Sequence, residues 1–103
     1  MKLINLTNHT IHEVTTGTII PTSGIVARVK TSNEKLTILN GIPVYRTTLS
    51  EVEGLPKPED NTIYIVSAMV LNKVSKSRTD VVSPGNPQRK NGIVSGCMGF
   101  RQL

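Results

Sequence analysis

The segment Arg78-Thr79-Asp80-Val81-Val82-Ser83-Pro84-Gly85 sets a guanidinium and a carboxylate two residues apart. On a strand that spacing puts both side chains on one face, where they can pair with each other. The same two groups can divide a ligand between them: the planar donor fork of Arg78 suits phosphate oxygens, and Asp80 accepts from a ribose hydroxyl. Arg89 and Lys90 stand beside Asn91-Gly92 and would extend a phosphate clamp; as residues of a hairpin tip they need no ligand. Ser67 follows the apolar run Thr62-Ile63-Tyr64-Ile65-Val66 and opens a helical pattern. A hydroxyl there caps the helix, and backbone N–H groups with the positive end of the dipole converge where a phosphate binds. The Gly-rich pattern of a Walker or dinucleotide loop is missing, so those folds are not expected.

Asn5, Thr7 and His9 alternate along the chain and share one face of an extended segment. They either line a polar pocket or cap a turn. His9 and His12 are the candidate acid–base groups for a metal-independent hydrolysis of a nucleotide-like ligand. No catalytic residue is assigned beyond those two candidates. No carboxylate or cysteine stands at ligand spacing from the histidines, so neither a metal nor a cofactor is expected. Cys97 is the one cysteine. It serves as a small buried hydrophobe unless a neighbouring base lowers its pKa.

These residues must be positioned by a small fold. A chain of 103 residues supports one domain, 1–103, with a modest core. Val, Ile and Thr together make up 33 residues against two alanines, which favours strands over helices. The expected class is α+β, mostly β: short antiparallel strands and hairpins with one short helix after a central strand. Lys2 to Leu6, Ile11 to Val14, Thr18 to Ile20 and the alternating Ile25 to Lys30 read as strands. Asn40-Gly41, between Leu36-Thr37-Ile38-Leu39 and Ile42-Pro43-Val44-Tyr45-Arg46, predicts a type I′ hairpin. Pro43 cannot donate to a ladder, so its strand is expected at an edge. Thr62 to Val66 is the expected central strand, Ser67 to Val74 the helix, and Asn91-Gly92 a second hairpin turn.

Charge is uneven along the chain. Residues 1–72 hold six basic and six acidic groups, while residues 73–103 hold six basic groups against Asp80 alone. The whole net charge of +5 therefore belongs to the last third. That asymmetry favours an anionic partner. An aromatic content of 3% leaves little to stack bases, so nucleic acid is an unlikely partner. No stretch is apolar enough to span a membrane, and the opening MKLINLTNHT lacks a signal h-region. With one cysteine, this predicts a cytoplasmic protein with no membrane partner.

Ile4-Asn5-Leu6-Thr7-Asn8-His9 resembles the INLTPH opening of a family of small proteins from bacteriophages, prophages and some bacterial chromosomes. The resemblance runs on through Ile20-Pro21-Thr22-Ser23-Gly24, Ala27-Arg28-Val29, Gly41-Ile42-Pro43-Val44 and Val52-Glu53-Gly54-Leu55-Pro56. It ends with Tyr64-Ile65-Val66-Ser67, Arg78, Asp80-Val81-Val82, Pro84-Gly85, Arg89 and Gly96-Cys97. Asn8 stands where that opening usually has Pro. The resemblance carries over no catalytic residues. It implies a phage context, in the host cytoplasm, where small accessory proteins often counter host immunity.

The expectation that follows is a homo-oligomeric anti-defence protein that sequesters an anionic, nucleotide-like small molecule, such as a cyclic nucleotide or cyclic ADP-ribose-type immune signal. The expected ligand-binding residues are Ser67, Arg78, Asp80, Arg89 and Lys90 with Asn5, Thr7 and His9. The alternatives are a metal-independent hydrolase of such a ligand, and a protein-interaction or virion-associated module with no small-molecule ligand.

Overall fold

A computed structural model describes the backbone of residues 1–103 and every side chain except those of Leu49, Ser50, Lys90, Ile93 and Val94. In chain order the elements are β1 (Lys2–Asn5), β2 (Ile11–Glu13), β3 (Thr18–Ile20), β4 (Arg28–Leu39), β5 (Ile42–Glu53), β6 (Thr62–Ile65), α1 (Ala68–Val74), β7 (Val81–Pro84), β8 (Pro87–Lys90), β9 (Ile93–Cys97) and β10 (Phe100–Arg101). The class is the expected one, mostly β with one short helix after a central strand. No helix among the described residues is long and apolar enough to cross a membrane.

The first sheet has the order β1-β6-β7-β10, and its first three strands run parallel. This arrangement follows from β6. Its apolar residues leave no wet face, so the strand must be covered on both sides and paired on both edges. Tyr64 and Val66 join Leu6, Ala27 and Val81 in a core cluster that receives Val70, Leu71 and Val74 of α1. Ile65 points the other way, into a second cluster with Ile11, Ile20, Val82 and Cys97. The first sheet is thus sandwiched between α1 and a second sheet of order β3-β2-β9-β8. Within the latter, β2 and β9 touch in parallel at Glu13 and Cys97.

The helix forms where Ser67, in extended conformation, accepts from the Val70 amide at 3.4 Å. Both Asn-Gly pairs make the expected turns: Asn40 and Gly41 have φ of 50° and 80°, Asn91 and Gly92 of 53° and 79°. Those left-handed angles match the strand twist of a two-residue hairpin.

Two local expectations differ from the structure. The strand read over residues 25–30 starts only at Arg28. The segment before it is irregular because it caps β1: Ser23 donates its amide to Asn5 O at 3.1 Å, and Ala27 donates to Leu6 O at 3.0 Å. The first Asn-Gly hairpin is also far longer than its apolar tip suggested. β4 and β5 form an isolated two-stranded ribbon of twelve residues a strand, with Val29 and Val52 at its base packed on the core. Pro43 lies in this ribbon opposite Ile38, where each strand has an unpaired edge.

Candidate functional site

Because β1, β6 and β7 are parallel, their carboxyl ends open at one edge of the sheet. In open sheets of this kind ligands bind beyond those ends. Three continuations of the chain meet there: Leu6-Thr7-Asn8-His9 after β1, Ser67 after β6, and Pro84-Gly85 at the end of β7. Between and beside them lie two cavities of about 610 and 520 Å³. The larger is floored by Leu6, Ala27 and Val70 and rimmed by Thr7, Asn8, Arg28 and Ser67. The smaller reaches toward the second sheet and is lined by Thr10, His12, Ser95, Gly96 and Cys97. His9 and Pro84 line both, so they form the wall that the two share.

The loop that carries His9 is held from beneath by Asn5. Its Nδ2 donates to His9 O at 2.9 Å and to Ile20 O at 3.0 Å. Its Oδ1 accepts from the Thr7 amide at 2.9 Å and the Thr7 hydroxyl at 2.6 Å. Every polar atom of this fully buried amide is therefore occupied within the chain. Asn5 builds the loop and leaves nothing for a ligand. Thr7 is also buried, and its single hydroxyl proton is shared between Asn5 Oδ1 and His9 O. His9 is exposed, with Nδ1 2.9 Å from Asn8 Oδ1. An amide oxygen only accepts, so Nδ1 carries the proton of that contact and Nε2 is the acceptor nitrogen of the neutral ring. Asn8 thus orients the imidazole.

The electrostatics favour an anion. Among the described residues no carboxylate lines either cavity, while His9, His12 and Arg28 do. Glu13, the nearest acid along β2, is turned to the opposite face and fully used. It accepts from the Thr15 hydroxyl, the Thr15 and Thr16 amides at 3.1 and 2.9 Å, and the Gly99 amide at 2.8 Å. These donors, the Thr15 hydroxyl first, hold its pKa at about 2. Glu13 thereby staples the β2–β3 turn to the turn before β10. Cys97 is buried, and loss of solvation, with a smaller push from Glu13, raises its pKa. That is the opposite of what an activated thiol needs. No group of three or more His, Cys, Asp or Glu among the described residues could hold a metal ion.

The remaining sequence candidates lie elsewhere. Arg78 and Asp80 form a bidentate pair, with Nε and Nη2 each 2.9 Å from a carboxylate oxygen. Nη2 also donates to Pro56 O at 3.0 Å, and the guanidinium sits 5.8 Å from the centre of the Tyr64 ring. Their mutual hydrogen bonds are the main cause that lowers the Asp80 pKa and raises that of Arg78. Ser67 and Arg78 stand at opposite ends of α1 and line no common cavity, so a single clamp of the two is not what the fold builds. Arg89 is exposed on β8 and lines neither cavity at the β1–β6–β7 edge; the side chain of Lys90 lies outside the described residues. Of the eight expected ligand residues, Ser67, Thr7 and His9 meet at one place, with Asn5 supporting them.

Arg28 is not among the eight ligand residues that the sequence points to; it lies within the alternating stretch Ile25 to Lys30. No local spacing could reveal that it lines the same cavity as Ser67 and His9, because that nearness depends on residues 21–27 folding back over the end of β1. No family model, curated protein or solved structure matches this chain, so its function is argued from this geometry.

Proposed function

We propose that this protein sequesters a small phosphate-bearing molecule, of the cyclic nucleotide or cyclic ADP-ribose type that signals in host immunity, in the crevice that His9 divides. One observation carries the reading: two cavities at the carboxyl ends of three parallel strands, rimmed by Arg28, His9 and His12 and by no carboxylate among the described residues. The phosphates fall to Arg28 and the Ser67 hydroxyl, whose donors suit an oxyanion, while Nε2 of His9 accepts from a ribose hydroxyl or a base N–H. The apolar floor of Leu6, Ala27 and Val70 covers part of a base or ribose. The phage setting comes from the sequence resemblance, and a homo-oligomer is part of the proposal, since small chains build enclosed sites through symmetric contacts.

Cys97 offers the smaller cavity no activated nucleophile, because burial raises the pKa of its thiol. The test is one incubation of purified protein with cyclic dinucleotides, cyclic trinucleotides and cyclic ADP-ribose isomers. After filtration the retained protein is heated, and both fractions are read by mass spectrometry. A compound depleted from the filtrate and released intact by heat supports sequestration. Recovery as fragments makes the protein a hydrolase, and passage of every compound unchanged overturns the proposal.

A further inference from the structure

The β4–β5 ribbon is an arm whose chemistry changes along its length. Its shaft is polar, with Ser32 and Thr48 hydroxyls 2.6 Å apart and Thr47 donating to Asn33 Oδ1 at 2.8 Å. Its tip is apolar. Cross-strand neighbours share a face, so Leu39 and Ile42 lie on one side of the ribbon, and Ile38 and Pro43 on the other. Leu39, Ile42, Ile38 and Tyr45 are 61, 66, 54 and 56% exposed. A ribbon that served only as a solvated loop would carry polar residues there, and two strands alone in water are marginally stable.

The surface of the chain measures how much cover is missing. A compact monomer of this mass exposes about 5,700 Å², whereas this chain exposes 7246 Å². Its radius of gyration is 16.6 Å, against about 13 Å for a compact chain of this length. The excess of about 1,500 Å² per chain is in the range that obligate homodimers bury on each side. We infer that the arm is an assembly device whose apolar tip is buried against a second copy of this chain. The occupant is a copy because an arm that needs permanent cover requires a partner present whenever the chain is, and the chain itself meets that condition. This deepens the oligomeric part of the proposed function and stands apart from its ligand.

The test is solution mass by light scattering on the full chain, beside Leu39→Thr/Ile42→Thr and Ile38→Thr/Tyr45→Thr. Threonine keeps the strand propensity while removing the apolar surface. The expected wild-type mass is a multiple of 11.2 kDa, and that of either variant is 11.2 kDa with an unchanged far-ultraviolet spectrum. A wild-type monomer at every concentration overturns the inference, as does a folded tip variant that still assembles. Tyrosine iodination reads the same surface without a mutation: Tyr45 is protected in the assembled protein and reacts on dilution, while Tyr64, buried within the chain, stays unreactive in both. Equal reactivity of Tyr45 in both states overturns the inference. Loss of ligand retention alone would strike the nucleotide reading and leave the arm untouched.

Discussion

Replacing Asn5 by Asp keeps the shape of the side chain and inverts half of its chemistry. In the native chain Nδ2 donates to His9 O and Ile20 O at 2.9 and 3.0 Å. The variant would set a carboxylate oxygen at that place, facing two carbonyl oxygens in a fully buried position. Each carbonyl left without its donor costs about 1–3 kcal/mol, so the two together cost about 2–6 kcal/mol before the burial of charge is added. A domain of this kind has about 5–15 kcal/mol in all, and the variant should lose a large share of it. The cost depends on pH. Burial against carbonyls raises the folded-state pKa of the new carboxyl above its unfolded value of about 3.9. The charge penalty is therefore full above the raised pKa, shrinks as pH falls through it, and vanishes near about 3.9. Urea unfolding followed by far-ultraviolet circular dichroism, for wild type, Asn5→Asp and Asn5→Ala at each pH, separates the contributions. Asn5→Ala should be destabilised at every pH by a constant amount, whereas the gap between Asn5→Asp and wild type should narrow toward acid. A variant within about 0.5 kcal/mol of wild type at neutral pH, or a gap that does not change with pH, would refute the reasoning.

The other perturbations separate structural roles from ligand roles. Arg78→Ala leaves Asp80 and Pro56 O without their donors and should cost about 1.5–3 kcal/mol in urea unfolding, with ligand retention per folded molecule unchanged; unchanged stability with lost retention would return Arg78 to the site. Arg28→Ala should do the reverse, weakening retention about tenfold or more through one charge-assisted contact while leaving the unfolding midpoint in place. Glu13 has a folded pKa of about 2 against an ordinary 4.5, so its contribution is complete above 4.5 and is lost as pH falls toward 2. Glu13→Gln should flatten that acid limb relative to wild type, and parallel curves would exclude the staple. In Gly96→Ala the new methyl would stand 2.7 Å from His12 O and 2.9 Å from Val14 Cγ1. Forcing β9 from β2 should cost about 1–3 kcal/mol, a melting temperature lower by about 5–20 °C, and an unaltered melt would mean that the strands approach less closely.

Elements that announce themselves through local chemistry were legible. Asn40-Gly41 and Asn91-Gly92 demand positive φ and take it, and Ser67 caps the helix that Val70, Leu71 and Val74 bury. The length of the arm was not. Residues 31–35 and 46–48 are Thr, Ser, Asn, Glu, Lys and Arg, with no apolar face to alternate against a polar one. Strand periodicity reports burial on one side, and a ribbon that buries neither side has no period to report. The parallel trio was hidden for a related reason. Turn residues mark a chain reversal into an antiparallel neighbour, but nothing in Lys2–Asn5 says that its partner lies sixty residues away in β6.

The same distinction explains the site. Net charge is a property of the chain, but a ligand meets the field where the chain folds. Arg78, the most specific cation of the basic last third, is neutralised by the one acid there, in a bidentate pair stacked over Tyr64. Arg89 stands away from the crevice on β8. The crevice takes its one described lysine or arginine side chain instead from Arg28, in the half of the chain whose charges cancel, and among the described residues no acid of that half lines it. Glu13 is bound by donors of Thr15, Thr16 and Gly99, and Glu53 lies opposite Arg28 in the ribbon register but 3.6 Å from Lys30 Nζ. Partition of acids by the fold, more than the number of bases in any stretch of sequence, decides where an anion is welcome. Moving one acid is then enough to test the principle. Ser95→Asp, on the exposed wall of the smaller cavity, adds a single negative charge without disturbing the core. It should weaken retention of a phosphate-bearing ligand in a salt-dependent way, while the unfolding midpoint stays where it was. Retention that is equal at low and high salt in both proteins would mean that Arg28 does not act through charge.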